Sequence, residues 1–291
     1  MKTLREYIQE AREKKVAVGH FNISNIEGFW AVVGAAKNLN VPVIIGASEG
    51  EREFIGVKEL AAIVHTYRES TGQPVFLNAD HTYSFEKVKE VVDAKYDAAI
   101  FDGTELPFDQ NVEETKKCRE YMQQNNPGMI LEAELGFIGK SSKVLEGIPE
   151  GVKISEEFLT TPEDAKKFLD ATGVDMLAPA VGNIHGMLKG GSDPALSIKT
   201  VAAVSAATNV PLVLHGASGN SKEDITAAID NGVAVVHVNT ELRVAYKNGL
   251  TKALAENPNE ISPYKYLKPA RDEMQRVVEE KLKIFNKLNQ A

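Results

Sequence analysis

Short apolar runs separated by amphipathic stretches recur along the whole chain. The runs are Val16–Asn22, Pro42–Ser48, Pro74–His81, Ala98–Asp102, Met129–Leu135, Met176–Val181, Leu212–Gly216 and Val233–Asn239, all rich in Val, Ile, Leu and Ala. They are nearly continuous rather than alternating, as expected of parallel strands covered on both faces. Between them, Asn25–Leu39, Phe85–Ala94, Glu113–Asn125, Thr161–Thr172 and Lys222–Asp230 carry apolar residues at helical spacing, and Ser221 opens the last with a Ser-x-x-Asp cap. Eight strand–helix units predict an α/β fold, a single (β/α)8 TIM barrel forming one domain over residues 1–291. A doubly wound sheet needs fewer strands, and the phosphate fingerprint it often carries after its first strand is absent.

The C-terminal part breaks the pattern. Asn257–Pro269 is rich in Pro and Tyr and reads as a loop. Ala270–Asn289 reads as a charged helix with an apolar stripe of Met274, Val277, Val278, Leu282 and Phe285. This helical extension belongs to the same domain, and its stripe predicts core packing or a subunit contact.

Composition narrows the class. A formal net charge of −8 with no Lys/Arg block argues against a nucleic-acid partner. It leaves an anionic substrate open, since backbone amides and one lysine hold a phosphate in an acidic protein. Cys118 is the single cysteine and sits in a helical pattern, EETKKCRE, so neither an internal disulfide nor a nucleophile is expected. No apolar run approaches a membrane span, and Met1–Glu13 reads as a charged helix rather than a signal peptide; the expectation is a cytoplasmic protein with no membrane partner.

The candidate chemistry collects at C-terminal strand ends, the catalytic rim of this fold. Asn22, Ser48, Asp80, Asp102, Glu134, Asn183, Ser218, Asn239 and Thr240 fall there, together with His81 in NADHT, His185 in GNIHG and His215 in LHGASG. Neutral imidazole is the commonest zinc ligand, and a catalytic zinc takes three protein ligands while keeping one position open, so the three histidines predict a shared Zn2+ site. Glu134 is a fourth or alternate ligand. Asp80, beside His81, either orients that ligand, serves as a general base or caps a helix. Gly216-Ala217-Ser218-Gly219 and His237–Thr240 follow the last two strands, where this fold places phosphate. Lys189 either adds a positive charge there or is an ordinary surface lysine.

FNISNIE, PVIIGASEG, NADH, EAELG, AVGNIHG, LHGASG, NTELR and YLKPAR occur in the order seen in class II, zinc-dependent ketose-bisphosphate aldolases, and the chain resembles that family over essentially its whole length. The resemblance implies reversible cleavage of a ketose 1,6-bisphosphate, fructose 1,6-bisphosphate foremost, to dihydroxyacetone phosphate and glyceraldehyde 3-phosphate. It implies that His81, His185 and His215 ligate zinc with Glu134 as the extra carboxylate, and that Asp80 takes the proton from the substrate 4-hydroxyl. Gly186, Lys189, Gly216, Ser218, Asn239 and Thr240 match positions around the phosphate and a monovalent cation, and Asn22 and Ser48 match polar pocket residues. Homodimers or homotetramers are usual in the family. Zinc, cobalt and iron are not distinguished by the ligand set.

Three departures bear on mechanism. The family's loop after ELG carries an acidic pair, whereas here Gly139-Lys140-Ser141-Ser142 occupies that stretch and Glu146 lies further along. His237 stands where the family usually has asparagine, with Val235 in place of a lysine; His237 either relays the proton that the loop acid would exchange or only hydrogen-bonds. Tyr264 replaces an arginine that reaches the distal phosphate, with Lys265 or Arg271 as compensating cations. Tagatose 1,6-bisphosphate and ketose 1-phosphates therefore stay open as substrates. So do a zinc-dependent phosphosugar isomerase or epimerase and a non-catalytic phosphosugar-binding protein.

Overall fold

The computed structural model describes residues 1–139, 142–148, 151–152, 154–189 and 193–288. In chain order its strands are β1 (Val18–Asn22), β2 (Val43–Ala47), β3 (Val75–Thr82), β4 (Ala98–Phe101), β5 (Ile130–Leu135), β6 (Val144–Leu145), β7 (Met176–Pro179), β8 (Met187–Leu188), β9 (Leu212–Leu214) and β10 (Val233–Val238). All but β6 and β8 form a closed parallel barrel in the order β1-β2-β3-β4-β5-β7-β9-β10, with β10 paired back onto β1. Each apolar run read from the sequence supplies one barrel strand, and each strand is followed by a helix, which is the (β/α)8 arrangement. The short β6–β8 pair, which the sequence pattern did not predict, ties the loop after β5 to the loop after β7.

Helix Phe108–Asn125 begins five residues before the segment predicted from Glu113. Its buried face is Asn111, Thr115, Cys118 and Met122, so its first turns bury polar residues that carry no apolar period. Thr115 Oγ1 satisfies Asn111 Oδ1 at 3.2 Å, which lets both be buried.

Alternate residues of a strand face the barrel interior, and here they build layers. At the bottom, Val18, Ile44, Phe76, Ala98, Ile130, Met176, Val213 and Val235 meet Leu4, Ile8 and Ala11 of the first helix, Leu4–Glu13, in one apolar cluster. That helix plugs the N-terminal end. Two residues further along the strands stand His20, Gly46, Asn78, Glu132, His215 and His237, and two further again Asn22, Ser48, Asp80 and Glu134. The interior thus turns from apolar to polar toward the C-terminal mouth.

The final helix, Lys268–Phe285, packs on helices Ile26–Leu39 and Thr240–Glu256 and on β1. Met274, Val278, Leu282 and Phe285 of its stripe are buried in the chain's own core. The stripe is therefore intramolecular packing, and it gives no support to a subunit contact.

Candidate active site

Asp80 and His81 are neighbours on β3, yet both face the cavity at the barrel mouth. A regular strand would send them to opposite sides. The β3–β4 register shifts between Ala79 and Thr82, and His81 sits at φ 35°, in the left-handed region. This bulge re-aims the His81 ring inward. Arg52, buried, braces it by donating to the carbonyls of Ala47 and Asp80 and, at 3.2 Å, to Thr82 Oγ1.

Around His81 the ligand candidates converge. The ring centroids of His81 and His185 are 4.6 Å apart, and those of His81 and His215 are 4.9 Å apart. Glu134 Oε2 lies 3.4 Å from His81 Nδ1 and 3.5 Å from His215 Nδ1. One ligand atom from each of His81, Glu134, His185 and His215 falls within 4.8 Å of all the others. Partners outside the group fix the rings: Asp102 Oδ2 at 3.0 Å from His81 Nδ1, Glu132 Oε1 at 2.7 Å from His215 Nε2, and the Gly139 carbonyl on His185 Nδ1. Such outer contacts are what orient metal-binding histidines.

The group fits a divalent cation. Among the described residues, Glu134 Oε2 and His215 Nδ1 are buried without hydrogen-bond partners, an arrangement that costs free energy unless something between them is shared. Three imidazoles and one carboxylate are a donor set suited to zinc. Burial opposes charge on His81, but Asp80, Asp102 and Glu134 outweigh it and raise its pKa to about 9. Burial likewise opposes charge on His215, and Glu132 and Glu134 still hold it well above the usual histidine range. The surroundings call for positive charge at this point.

Asp80 is buried, yet burial does not neutralise it: the charges of His81 and His20 and the contact with His237 hold its pKa well below the ordinary carboxylate value. Its Oδ2 accepts from Asn22 Nδ2 at 2.8 Å, and its Oδ1 has no hydrogen-bond partner among the described residues, lying 3.4 Å from His237 Nδ1 and 3.8 Å from His81 Nε2. A charged carboxylate with one uncommitted oxygen beside the histidine group can accept a proton.

The cavity at this mouth measures about 530 Å3. Asn22, Ser48, Asp80, His81, His185 and His215 line it. So do Gly186, Gly216, Ser218, His237, Asn239 and Thr240. Gly216 has φ +64°, and a side chain there would meet the Ile184 carbonyl at 2.1 Å, so glycine is what allows the two loops to touch. Three predicted metal- or substrate-binding residues stand apart from the lining. Glu134 is buried against His81 and His215. Ala217 is fully buried behind the turn, and Lys189 is exposed and paired with Glu146 at 2.8 Å. Glu146 is thereby engaged away from the cavity. Lys140 and Ser141 of the loop lie outside the described residues, while Ser142 and Lys143 reach the cavity wall. Tyr264 is 76% exposed and does not line the cavity; Lys265 pairs with Glu260 and Arg271 with Asp272.

Sequence reasoning missed several residues. Glu51, buried, accepts from Asn22 Nδ2 (2.8 Å), Ser48 N (2.8 Å), Ser48 Oγ (2.9 Å) and Arg243 Nη2 (2.6 Å), and so organises one wall. Its signal was the Ser48-x-x-Glu51 capping box. Arg243, in NTELR, lines the cavity. His20, Asn78 and Glu132 are buried in the interior layer, each two residues before a predicted site residue (Asn22, Asp80 and Glu134) and hence on the same strand face.

Residues 2–290 match the family described as fructose-bisphosphate aldolase class-II. A fructose-bisphosphate aldolase of Staphylococcus epidermidis is 35% identical, with 99% of this chain and 98% of that protein covered. A probable fructose-bisphosphate aldolase of Bacillus subtilis is also 35% identical, with 99% of each covered. The crystal structure of the YdjI aldolase from Escherichia coli K12 superposes with a TM-score of 0.80 at 28% identity, covering 100% of this chain and 99% of that one.

Proposed function

The chain belongs to the class II fructose-bisphosphate aldolase family and is a lyase by that membership, and from this premise we propose that it is a zinc-dependent aldolase cleaving a ketose 1,6-bisphosphate, fructose 1,6-bisphosphate foremost, to dihydroxyacetone phosphate and glyceraldehyde 3-phosphate. The observation that carries this reading is the convergence of His81, Glu134, His185 and His215 beside Asp80.

A divalent cation held by those four residues supplies Lewis acidity for the electron-rich fragment left when the carbon–carbon bond breaks. The protein's own groups do the rest. Asp80 Oδ1, uncommitted and ionised, takes the proton of the substrate 4-hydroxyl. Asn22 fixes the carboxylate through its other oxygen. Gly216, Ser218, Asn239 and Thr240, at the turn after β9 and the start of helix Thr240–Glu256, take the phosphate of dihydroxyacetone phosphate and a neighbouring monovalent cation, with helix-end amides supplying donors. Gly186 lines the same wall.

Arg243 and Lys143 are cations that line the cavity and supply charge for a second phosphate, which supports a bisphosphate although Tyr264 stands outside. His237 is also assigned to the reaction, next to Asp80. Burial and the neighbouring His20 and His215 push its pKa well down, so it acts as a neutral imidazole. The reading takes the whole chain as one domain acting on a small phosphorylated sugar.

The test is a panel of fructose and tagatose 1,6-bisphosphates and the matching ketose 1-phosphates with zinc-loaded protein, coupled to triose-phosphate detection and run with a chelator control. Triose phosphate from fructose 1,6-bisphosphate is expected. Sugar interconversion without triose phosphate identifies an isomerase or epimerase, and metal-dependent binding without turnover identifies a binding protein.

A further inference from the structure

We propose that His20 is a positioning residue for this reaction, the fixed plate on which His237 is stacked and through which Asp80 is held in line. The inference rests on the reading of Asp80 as the base.

His20 and His237 are register partners on adjacent strands β1 and β10, both facing the barrel interior. Their rings stack at 3.5 Å between centroids with an interplanar angle of 4°. The other face of His237 lies on His215, at 4.3 Å and 20°. His237 is thus sandwiched between a ring outside the cavity lining and a ligand candidate. Its Nδ1 is 3.4 Å from Asp80 Oδ1, so a tilt of the His237 ring moves the contact on the oxygen that accepts the proton.

His20 is itself held on several sides. It is fully buried, and Asn78 Nδ2 donates to its Nε2 at 3.1 Å. A side chain at position 46 would stand 2.1 Å from His20 Cε1, so glycine on β2 makes the recess for the ring. The sequence Asn78, His20, His237, Asp80 is a continuous line of contacts from the barrel interior to the cavity.

His20, Asp80 and His237 also lie close enough to suggest a second metal site. The stack argues otherwise. Ring lone pairs lie in the ring plane, and two planes parallel within 4° send theirs side by side rather than onto one ion. Positioning is the role the parallel geometry fits.

The test is a double-mutant cycle with zinc-loaded protein, joined to histidine-labelled NMR of the metal-free protein. His20→Ala and His20→Gln are both made, the second because it keeps an acceptor for Asn78 if the smaller residue fails to fold. Each is expected to lower kcat about tenfold with KM changed less than about twofold, and less than about twofold in kcat once His237→Asn is present. In the NMR arm the ring protons of His237, shielded between two rings, are expected to move downfield when His20 is lost. An equal fall in kcat in both backgrounds, or His237 signals that stay in place, overturns the proposal. Absence of cleavage by the wild type defeats the proposed function instead, and the NMR arm still decides the stacking role.

Discussion

The side-chain amide of Asn22 donates at 2.8 Å to Asp80 Oδ2 and at 2.8 Å to Glu51 Oε2, so one residue ties the candidate base to the carboxylate that organises the cavity wall. Among the described residues, this leaves one oxygen of Asp80 for substrate. Asp80→Asn keeps the shape and removes the proton acceptor. The expected fall in kcat is about 10²–10⁴-fold with zinc content unchanged. Steady-state kinetics beside metal analysis check this, and full activity in the variant removes Asp80 from the proton path.

Arg243 meets Glu51 at 2.6 Å at the cavity wall. If it receives the second phosphate, Arg243→Ala should weaken a bisphosphate far more than a 1-phosphate. A charge-assisted contact of about 1.5–3 kcal/mol corresponds to a rise in KM of roughly 10–100-fold. The comparison is KM for fructose 1,6-bisphosphate against fructose 1-phosphate. Equal changes for both assign Arg243 to the wall alone.

Gly46→Ala places a methyl group against the His20 ring in a packed interior. Overpacking of this kind costs about 1–3 kcal/mol. Thermal or urea denaturation should show the loss. An unchanged Tm means that the ring has room to move and that the recess is not tight.

Asp175 is nearly buried beneath the barrel and accepts from Arg5 Nη1 at 2.8 Å, Leu131 N at 2.9 Å and Arg119. Burial opposes its charge, but the hydrogen bonds from Arg5, Arg119 and Leu131 win, and its pKa is lowered. A carboxylate with a depressed folded-state pKa stabilises the fold above its ordinary value, and that contribution fades as pH falls through the folded-state value. Asp175→Ala is therefore expected to be clearly less stable than wild type at neutral pH, with the gap narrowing below about pH 4. A gap independent of pH contradicts an ionic role.

The barrel was legible because strands buried on both faces spell themselves as apolar runs, and the rim was legible because His81, His185 and His215 stand at or just beyond the ends of those runs. What stayed hidden had physical causes. His20, Asn78 and Glu132 sit inside apolar strands, and only the two-residue period to Asn22, Asp80 and Glu134 marks them as interior. The bulge that turns His81 inward is a register shift between strands, which no single segment encodes. Lys189 looked available as a phosphate cation because its partner, Glu146, lies 43 residues away in a loop joined to it by β6 and β8. The last helix's stripe was ambiguous since core and interface use the same residues.

The most direct test of the central claim is zinc titration of chelator-treated protein, read by metal analysis and calorimetry, for wild type and His215→Ala. The account predicts about one tightly held zinc per chain in the wild type and at least about a hundredfold weaker binding in the variant, since the set of three imidazoles and a carboxylate loses a ligand. A wild type that retains no zinc, or a variant that binds it as well as wild type, contradicts the proposed centre.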